Sequence, residues 1–558
     1  MDTYRAFLAI IISFIILVGY QYFFVGFDQP VAVDGQTVQS IPQPSGQSGG
    51  IATTSVPLPA VVPQSIAPVQ VVTYDRTPKE ILVETDLYTA TLSEDGGTVT
   101  SFVLKNYKET HDADSLGMQL VKTDASQGFP LEFSWGSAVA GRILYNSDVQ
   151  SVYLSEGQEG QLVLTAEAGN GLTVVRTYTF YNDTYLINMS VKVINGSGAI
   201  LQGIPQIHQV NTKFETSISP AKRFLFTGPA IYLDESLNEV KADEFEDAPY
   251  VLQGSIAWAG YESNYFLCAV VPTEGNGKSF TMQGTEDVAR SQLAGSLDTL
   301  QAGMEKEYKY HVFYGPKKLK TLKSIGFSLD RSINFGWFDV IAKPALWLLN
   351  TFYGIFHNYG IAIILVTVLF KACFWPISQR GMKSMKNMQK LQPKMAKLKE
   401  KYKGDPAKMN QEVMSLYKTY KVNPLGGCLP MVLQIPVFFA LYKVLLLSIE
   451  LRHAPFLLWI TDLSAPDRLY IGFDLPYLGG LPVLTLLMGA SMFFQQKLTP
   501  TTADPTQAKI MMFLPVVFTF MFLNFASGLV LYWFINNLLS ILQQVLINRD
   551  KKKPVPAG

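Results

Sequence analysis

The sequence predicts a multi-pass α-helical membrane protein with six spans, a large all-β domain outside the membrane and a helical hairpin inside. Three observations carry this. Charged residues are only 16% of the 558, hydrophobic ones 48%, and mean hydropathy is +0.16, which is low charge for a soluble chain of this size. Uncharged apolar runs lie at the N-terminus and again after residue 360. Between them, about 250 residues alternate polar and apolar side chains at the strand period.

Residues 6–27, "AFLAIIISFIILVGYQYFFVGF", are uncharged and long enough to cross a bilayer, so 1–27 reads as an N-terminal signal anchor. Arg5 before the run and Asp28 after it keep the N-terminus inside. The run is long for a cleaved signal peptide and no A-x-A site follows it. Residues 28–74 are Pro, Gly, Ser and Gln with almost no charge, a tether that cannot bury a core. Residues 75–332 form the β domain. "EILVETDLYTATL" and "TVTSFVLKNY" flank the turn Glu94-Asp95-Gly96-Gly97, and "LTVVRTYTF" and "YLINMSVKV" flank Asn182-Asp183. Residues 333–358 contain "WFDVIAKPALWLLNTFYGIF", an amphipathic helix that lies along the membrane surface or else packs as an ordinary core helix. The core, 359–548, holds spans at about 360–378, 424–447, 476–496, 510–525 and 528–547, the last two joined by Ala526-Ser527. A basic tail, 549–558, ends the chain.

Charge sets the orientation. Between Ile377 and Asn423 stand eleven lysines and one arginine against three acids, while 450–475 has only Arg452 and Arg468 as basic residues. The positive-inside rule puts 377–423, 497–509 and the C-terminus in the cytoplasm, and the β domain outside. Within the basic segment 380–422, Met388, Leu391, Met395, Leu398 and Tyr402 recur at helical spacing. Gly404-Asp405-Pro406 breaks the helix, and Met409, Val413, Leu416 and Tyr420 resume it, giving a hairpin with a Met-rich seam. Its lysines are a topology signal and a candidate contact for ribosomal RNA or anionic lipid. The three cysteines and five histidines are scattered, which excludes a disulfide framework and a metal motif and implies no cofactor.

"KVNPLGGCLPMVLQIPVFFALY" (421–442), "KLTPTTADPTQAKIMMFLPVVFTF" (497–520) and "FASGLVLYWFINN" (525–537) resemble the YidC family of membrane protein insertases over roughly the last 220 residues. The anchor, tether and β domain resemble the Gram-negative type. That resemblance implies a five-helix insertase core, a periplasmic β-supersandwich and an inner-membrane location. It also implies a protein without enzymatic chemistry that inserts and helps fold newly made membrane proteins. Its implied partners are those nascent chains, the Sec translocon with its accessory subunits, membrane lipid and, through the basic loop and tail, the ribosome, with no specific nucleic acid sequence.

Lys371 interrupts the span at 360–378. A charge at mid-span costs roughly 2.5–3.5 kcal/mol on insertion scales and usually faces a wet interior. The spans hold no Asp or Glu to pair with it, and Gln379 lies eight residues on, about 12 Å along a helix. Thr367 one turn back, Gln434 in the third span and Asn536, Asn537, Ser540, Gln543 and Gln544 in the last are its candidate polar neighbours. The family carries a positive residue at the position of Lys371, often arginine, in a groove open to cytoplasm and lipid. Thr367 and Gln434 match groove positions, and Trp533 stands where many members have tyrosine. The candidate groove set is Lys371, Thr367, Gln434, Val432, Phe438, Tyr532, Trp533 and Asn537, and the candidate hairpin set is Met388, Met395, Gly404 and Asp405. A polytopic transporter or channel with a periplasmic binding domain is the alternative, without acidic relay residues to support it. An intramembrane protease on Ser527 lacks a histidine base, and Ser527-Gly528 is better read as a turn.

Overall fold

The computed structural model describes residues 74–549, apart from 113, 137–138, 140–141, 170, 215–225, 274–276, 403, 421–428, 474–477 and 499–504. The anchor and nearly all of the tether lie outside the described residues.

The β domain is built on an antiparallel sheet of eight strands, in spatial order Ser236–Glu239, Gly228–Leu233, Ile256–Glu262, Phe266–Pro272, Glu305–Pro316, Leu186–Asn195, Leu172–Tyr181 and Glu159–Glu167. Two five-stranded sheets and a two-stranded ribbon complete it. Alternation explains the layering: along Leu172–Tyr181, Leu172, Val174, Arg176, Tyr178 and Phe180 are buried and their neighbours are not. The turn at Asn182-Asp183 joins that strand to Leu186–Asn195 as the sequence predicts. The run "EILVETDLYTATL" is not one strand but two, Glu80–Glu84 and Tyr88–Ser93, paired antiparallel. Thr85 breaks it, because its hydroxyl accepts the backbone N–H groups of Leu87 (3.2 Å) and Tyr88 (3.0 Å) and closes a tight turn.

Among the described residues, eight helices of seven residues or more follow the strands. They are α1 (Leu319–Ile325), α2 (Asp339–Phe356), α3 (Tyr359–Lys401), α4 (Pro406–Thr419), α5 (Leu429–Leu447), α6 (Val483–Leu498), α7 (Pro505–Phe522) and α8 (Ser527–Arg549). Among the described residues, two helices are long and apolar enough to cross a membrane, Tyr359–Leu398 and Ser527–Arg549. Gln434–Leu447 and Met511–Phe522 are shorter apolar segments. The span at 360–378 does not stop at its basic flank. It runs on through Pro376 and Pro393 as one 43-residue helix, so the first arm of the hairpin is a continuation of the span.

α2 forms within the expected segment and buries one face. Ala342, Ala345, Leu346 and Leu349 face inward, but the outer side is apolar as well, with Val340, Trp347 and Ile355 exposed. A helix apolar on both sides suits packing on protein within lipid better than floating at a water boundary. In the hairpin, Asp405 caps α4 by accepting the Lys408 N–H (3.0 Å), and Gly404 and Pro406 flank it at the break. Met388 is buried, and Met395 Sδ takes the Tyr417 hydroxyl at 3.4 Å. Tyr420, expected in the seam, is exposed and bonds Lys394 across the hairpin instead.

The β domain rests on the outer end of the helices. The Tyr265 hydroxyl donates to Leu446 O (3.3 Å), Arg452 donates to Glu109 O (3.0 Å), and the guanidinium lies over the Phe266 ring.

Candidate functional site

α3 supplies one wall of a groove because its residues at helical spacing, Thr367, Phe370, Lys371, Phe374, Ile377 and Ser378, share a face. α5 adds Gln434 and Val437, and α8 adds Tyr532 and Asn536. Together they bound about 480 Å³ of atom-free space, counting its open mouth. Lys371 is 9% exposed. Its Nζ donates to Ser540 Oγ (2.7 Å) and, more loosely, to Asn536 Oδ1 (3.3 Å), while Gln434 Nε2 donates to the same Asn536 oxygen (2.9 Å). The ammonium is therefore held by neutral oxygens. Among the described residues it forms no salt bridge.

A polar seam continues along α3 and α8 away from the β domain. Ser378 donates to Gln543 Oε1 (3.1 Å), Gln543 Nε2 to Trp375 O (3.3 Å), and Lys386 Nζ to Ile547 O (2.7 Å) near the end of α8. Toward the β domain the groove meets apolar side chains instead: Ala345, Leu349, Ile363, Val366, Leu441, Val444 and Leu445. The lining is thus apolar toward the β domain and polar away from it. The segment before α6 is tied down by hydrogen bonds. Asp467 accepts from Trp459 Nε1 (2.6 Å) and the Thr485 N–H (3.1 Å), and Arg468 holds Leu523 O (2.8 Å) and Asn524 Oδ1 (2.9 Å).

The residues singled out from sequence fall into four groups. Lys371, Thr367, Gln434 and Tyr532 line the groove. Thr367 returns its hydroxyl to Ile363 O (2.6 Å), so it lends the groove little polarity. Phe438 and Trp533 stand beside it in an aromatic cluster, where Trp533 lies 4.7 Å from Phe438, 4.9 Å from Phe522 and 6.0 Å from Phe518 between ring centroids. Asn537 is turned out of the groove, because its amide donates to Ser491 Oγ on α6 (3.0 Å). One position along a helix is 100°, enough to send Asn536 and Asn537 to different neighbours. Val432 lies within α5, but its side chain is outside the described residues.

Sequence reasoning missed Phe370, Phe374 and Ser378 as lining residues, although their spacing from Thr367 and Lys371 was the available signal. It also passed over Lys443, a second cation in the third span. Lys443 sits four residues before the end of α5 and is half-buried. No cluster of three metal-ligating side chains occurs among the described residues.

Comparison with known proteins decides what the groove belongs to. The family described as "60Kd inner membrane protein" matches residues 351–554, and the "YidC periplasmic domain" matches 80–348. A "Membrane protein insertase YidC" of Pelobacter propionicus is 42% identical over 98% of this chain and 99% of its own. The chain belongs to the YidC family of membrane protein insertases. A second YidC insertase, from Geotalea uraniireducens, is 41% identical over 98% of this chain and 99% of its own. A crystal structure titled as an active YidC insertase with its first transmembrane domain resolved covers 87% of this chain and 95% of its own. At 19% identity and a TM-score of 0.35 it adds nothing to the family assignment. Membership makes the chain an insertase with a β-rich periplasmic domain, and leaves the transporter reading without support.

Proposed function

We propose that the groove around Lys371 receives the polar flank of a newly made membrane protein while its apolar segment passes to lipid beside the aromatic cluster of Phe438 and Trp533. The observation that carries this is a buried cation whose partners among the described residues are the neutral oxygens of Ser540 and Asn536, beside open space. Such a charge is costly to keep in a membrane and is available to an incoming anionic group. Wetting the inner half of the groove shortens the apolar distance that a polar flank must cross. Six spans, with both termini and the α3–α4 hairpin cytoplasmic, fit the charge distribution, and the inner membrane fits the family. The rigid continuity of α3 makes the hairpin an arm that reports to the groove. Its lysines, with those of the tail, suit a ribosome, and the Sec translocon and its accessory subunits are the natural neighbours in the membrane.

Photocrosslinkers at 434, 533, 536 and 537 against a ribosome-stalled membrane protein test this reading. Crosslinks are expected from 434, 536 and 533, and none from 537, which faces α6. Equal yields from 536 and 537, or none from 434, would overturn the assignment of this groove.

A further inference from the structure

The chain leaves the β domain for the helices through three consecutive residues of positive φ: Gly326 at 88°, Phe327 at 54° and Ser328 at 58°. Glycine adopts this conformation freely, but a bulky phenylalanine there is an outlier that persists only when its surroundings impose it. The surroundings are specific. The Phe327 ring stacks on His311, with centroids 4.6 Å apart and planes at 30°. His311 is itself fixed, because its Nδ1 donates to Asn188 Oδ1 (2.7 Å), whose amide in turn donates to the Tyr181 hydroxyl (2.8 Å). Ser328 O accepts from Trp258 Nε1 (3.0 Å), and Trp258 is fully buried. Four strands of the eight-stranded sheet, those bearing Tyr181, Asn188, His311 and Trp258, therefore grip a three-residue turn. Just beyond it Leu329 is buried and α2 begins at Asp339, packed through Ala342 and Ala345 into the helical core.

We infer that Gly326–Ser328 is a strained latch that sets the angle between the β domain and α2, with Phe327 on His311 as its catch. Phe327 remains 41% exposed, so the catch is at the surface and a small movement unseats it. Once it is unseated, Phe327 and Ser328 relax to negative φ, and the β domain pivots on its other holds on the core, Tyr265 on Leu446 O and Arg452 against Glu109 and Phe266. This inference concerns the joint between the two parts and is independent of what the groove binds.

Lys320, Lys323 and Arg331 bracket the turn, so trypsin reads its opening in the full-length protein in detergent. Phe327→Ala and His311→Ala should each speed cleavage there about 2- to 10-fold, the range set by one aromatic contact, and the double variant should be no faster than the faster single. Ser328→Gly, which relieves the left-handed conformation and keeps the catch, should slow cleavage about twofold. Thermal unfolding of the β domain monitors folding. If His311→Ala is unfolded, His311→Gln, which can still bond Asn188 but has no ring, must reproduce the acceleration. None of these residues touches the groove, so insertion in the same preparations should persist. Cleavage of the Phe327 and His311 variants at the wild-type rate, or additive acceleration in the double variant, would overturn the latch. Loss of insertion by the wild-type protein would instead bear on the groove.

Discussion

Arg176 in the β domain and Lys371 in the helical core are both buried cations, and neither has a carboxylate partner among the described residues. Arg176 is held through both terminal nitrogens, while its Nε is buried without a hydrogen-bond partner among the described residues. It donates to Gly96 O (2.7 Å), Leu131 O (2.6 Å) and the Tyr178 hydroxyl (2.5 Å), and lies against the Tyr145 and Tyr178 rings. A Cβ added at Gly97 would stand 2.8 Å from its guanidinium, so nothing larger than glycine fits there. Lys371 has one short bond, one long one and open space beside it. The difference teaches how to read a buried charge. Where fixed carbonyls and rings surround it, the charge holds the fold. Where neutral partners leave part of it facing a groove, it is available to something that arrives.

Breaking Arg176 should have the largest effect, and on stability. Arg176→Leu leaves two buried carbonyls without donors, at about 3–5 kcal/mol. The β-domain melting temperature should fall by on the order of 10 °C. A shift within a degree or two would mean that water replaces the guanidinium and that the contrast with Lys371 is overstated.

Next is Lys371, whose effect should appear in insertion and depend on substrate. At an effective dielectric of about 20 and about 6–8 Å, one opposite charge in the translocated segment interacts by roughly 2–3 kcal/mol before hydration is subtracted. Lys371→Arg should be nearly silent, Lys371→Ala should weaken insertion of acidic-flanked substrates, and Lys371→Glu should weaken it further. Paired substrates differing only in those acids, at matched protein levels, make the measurement. Equal losses for acidic and neutral substrates would show that Lys371, like Arg176, merely holds its helices together.

The smallest expected effect sharpens the picture of a closed β interior. His208 bonds Ser134 Oγ (2.8 Å), and burial lowers its pKa from 6.5 to about 4. A histidine depressed in the folded state gives stability that is complete above about pH 6.5 and is lost as pH falls toward 4. Between pH 6.5 and 5 the β domain should lose about 1–2 kcal/mol to this group. His208→Gln should flatten that part of the stability profile. An unchanged profile would mean that water reaches the imidazole.

How much was legible in advance differs between the two regions for the same reason. Strand alternation placed Leu172–Tyr181 and its partner correctly, because period two shows in the sequence itself. The break at Thr85 did not show, since it depends on one hydroxyl choosing backbone N–H groups over a continued strand. In the core, Lys371 announced itself as a charge in an apolar run, and Gly404-Asp405-Pro406 as a break. The separation of Asn536 from Asn537 did not, because adjacent residues of like chemistry are told apart only by which helix each meets.

The sequence by itself determined that apolar helices and a β domain would coexist, where the basic residues concentrate, and that Lys371 would lack an acidic partner. These follow from composition, periodicity and the cost of charge in lipid, which are properties of segments. The tertiary structure alone decided that Asn536 and Ser540 hold Lys371, that Asn537 turns to Ser491, and that Phe327 is forced to positive φ against His311. Each is a contact between residues apart in the chain: Phe327 and His311 are the nearest in sequence, Asn537 and Ser491 are 46 positions apart, and Lys371 is 165 and 169 positions from Asn536 and Ser540. No local pattern encodes such partners, because they are fixed only when whole elements pack.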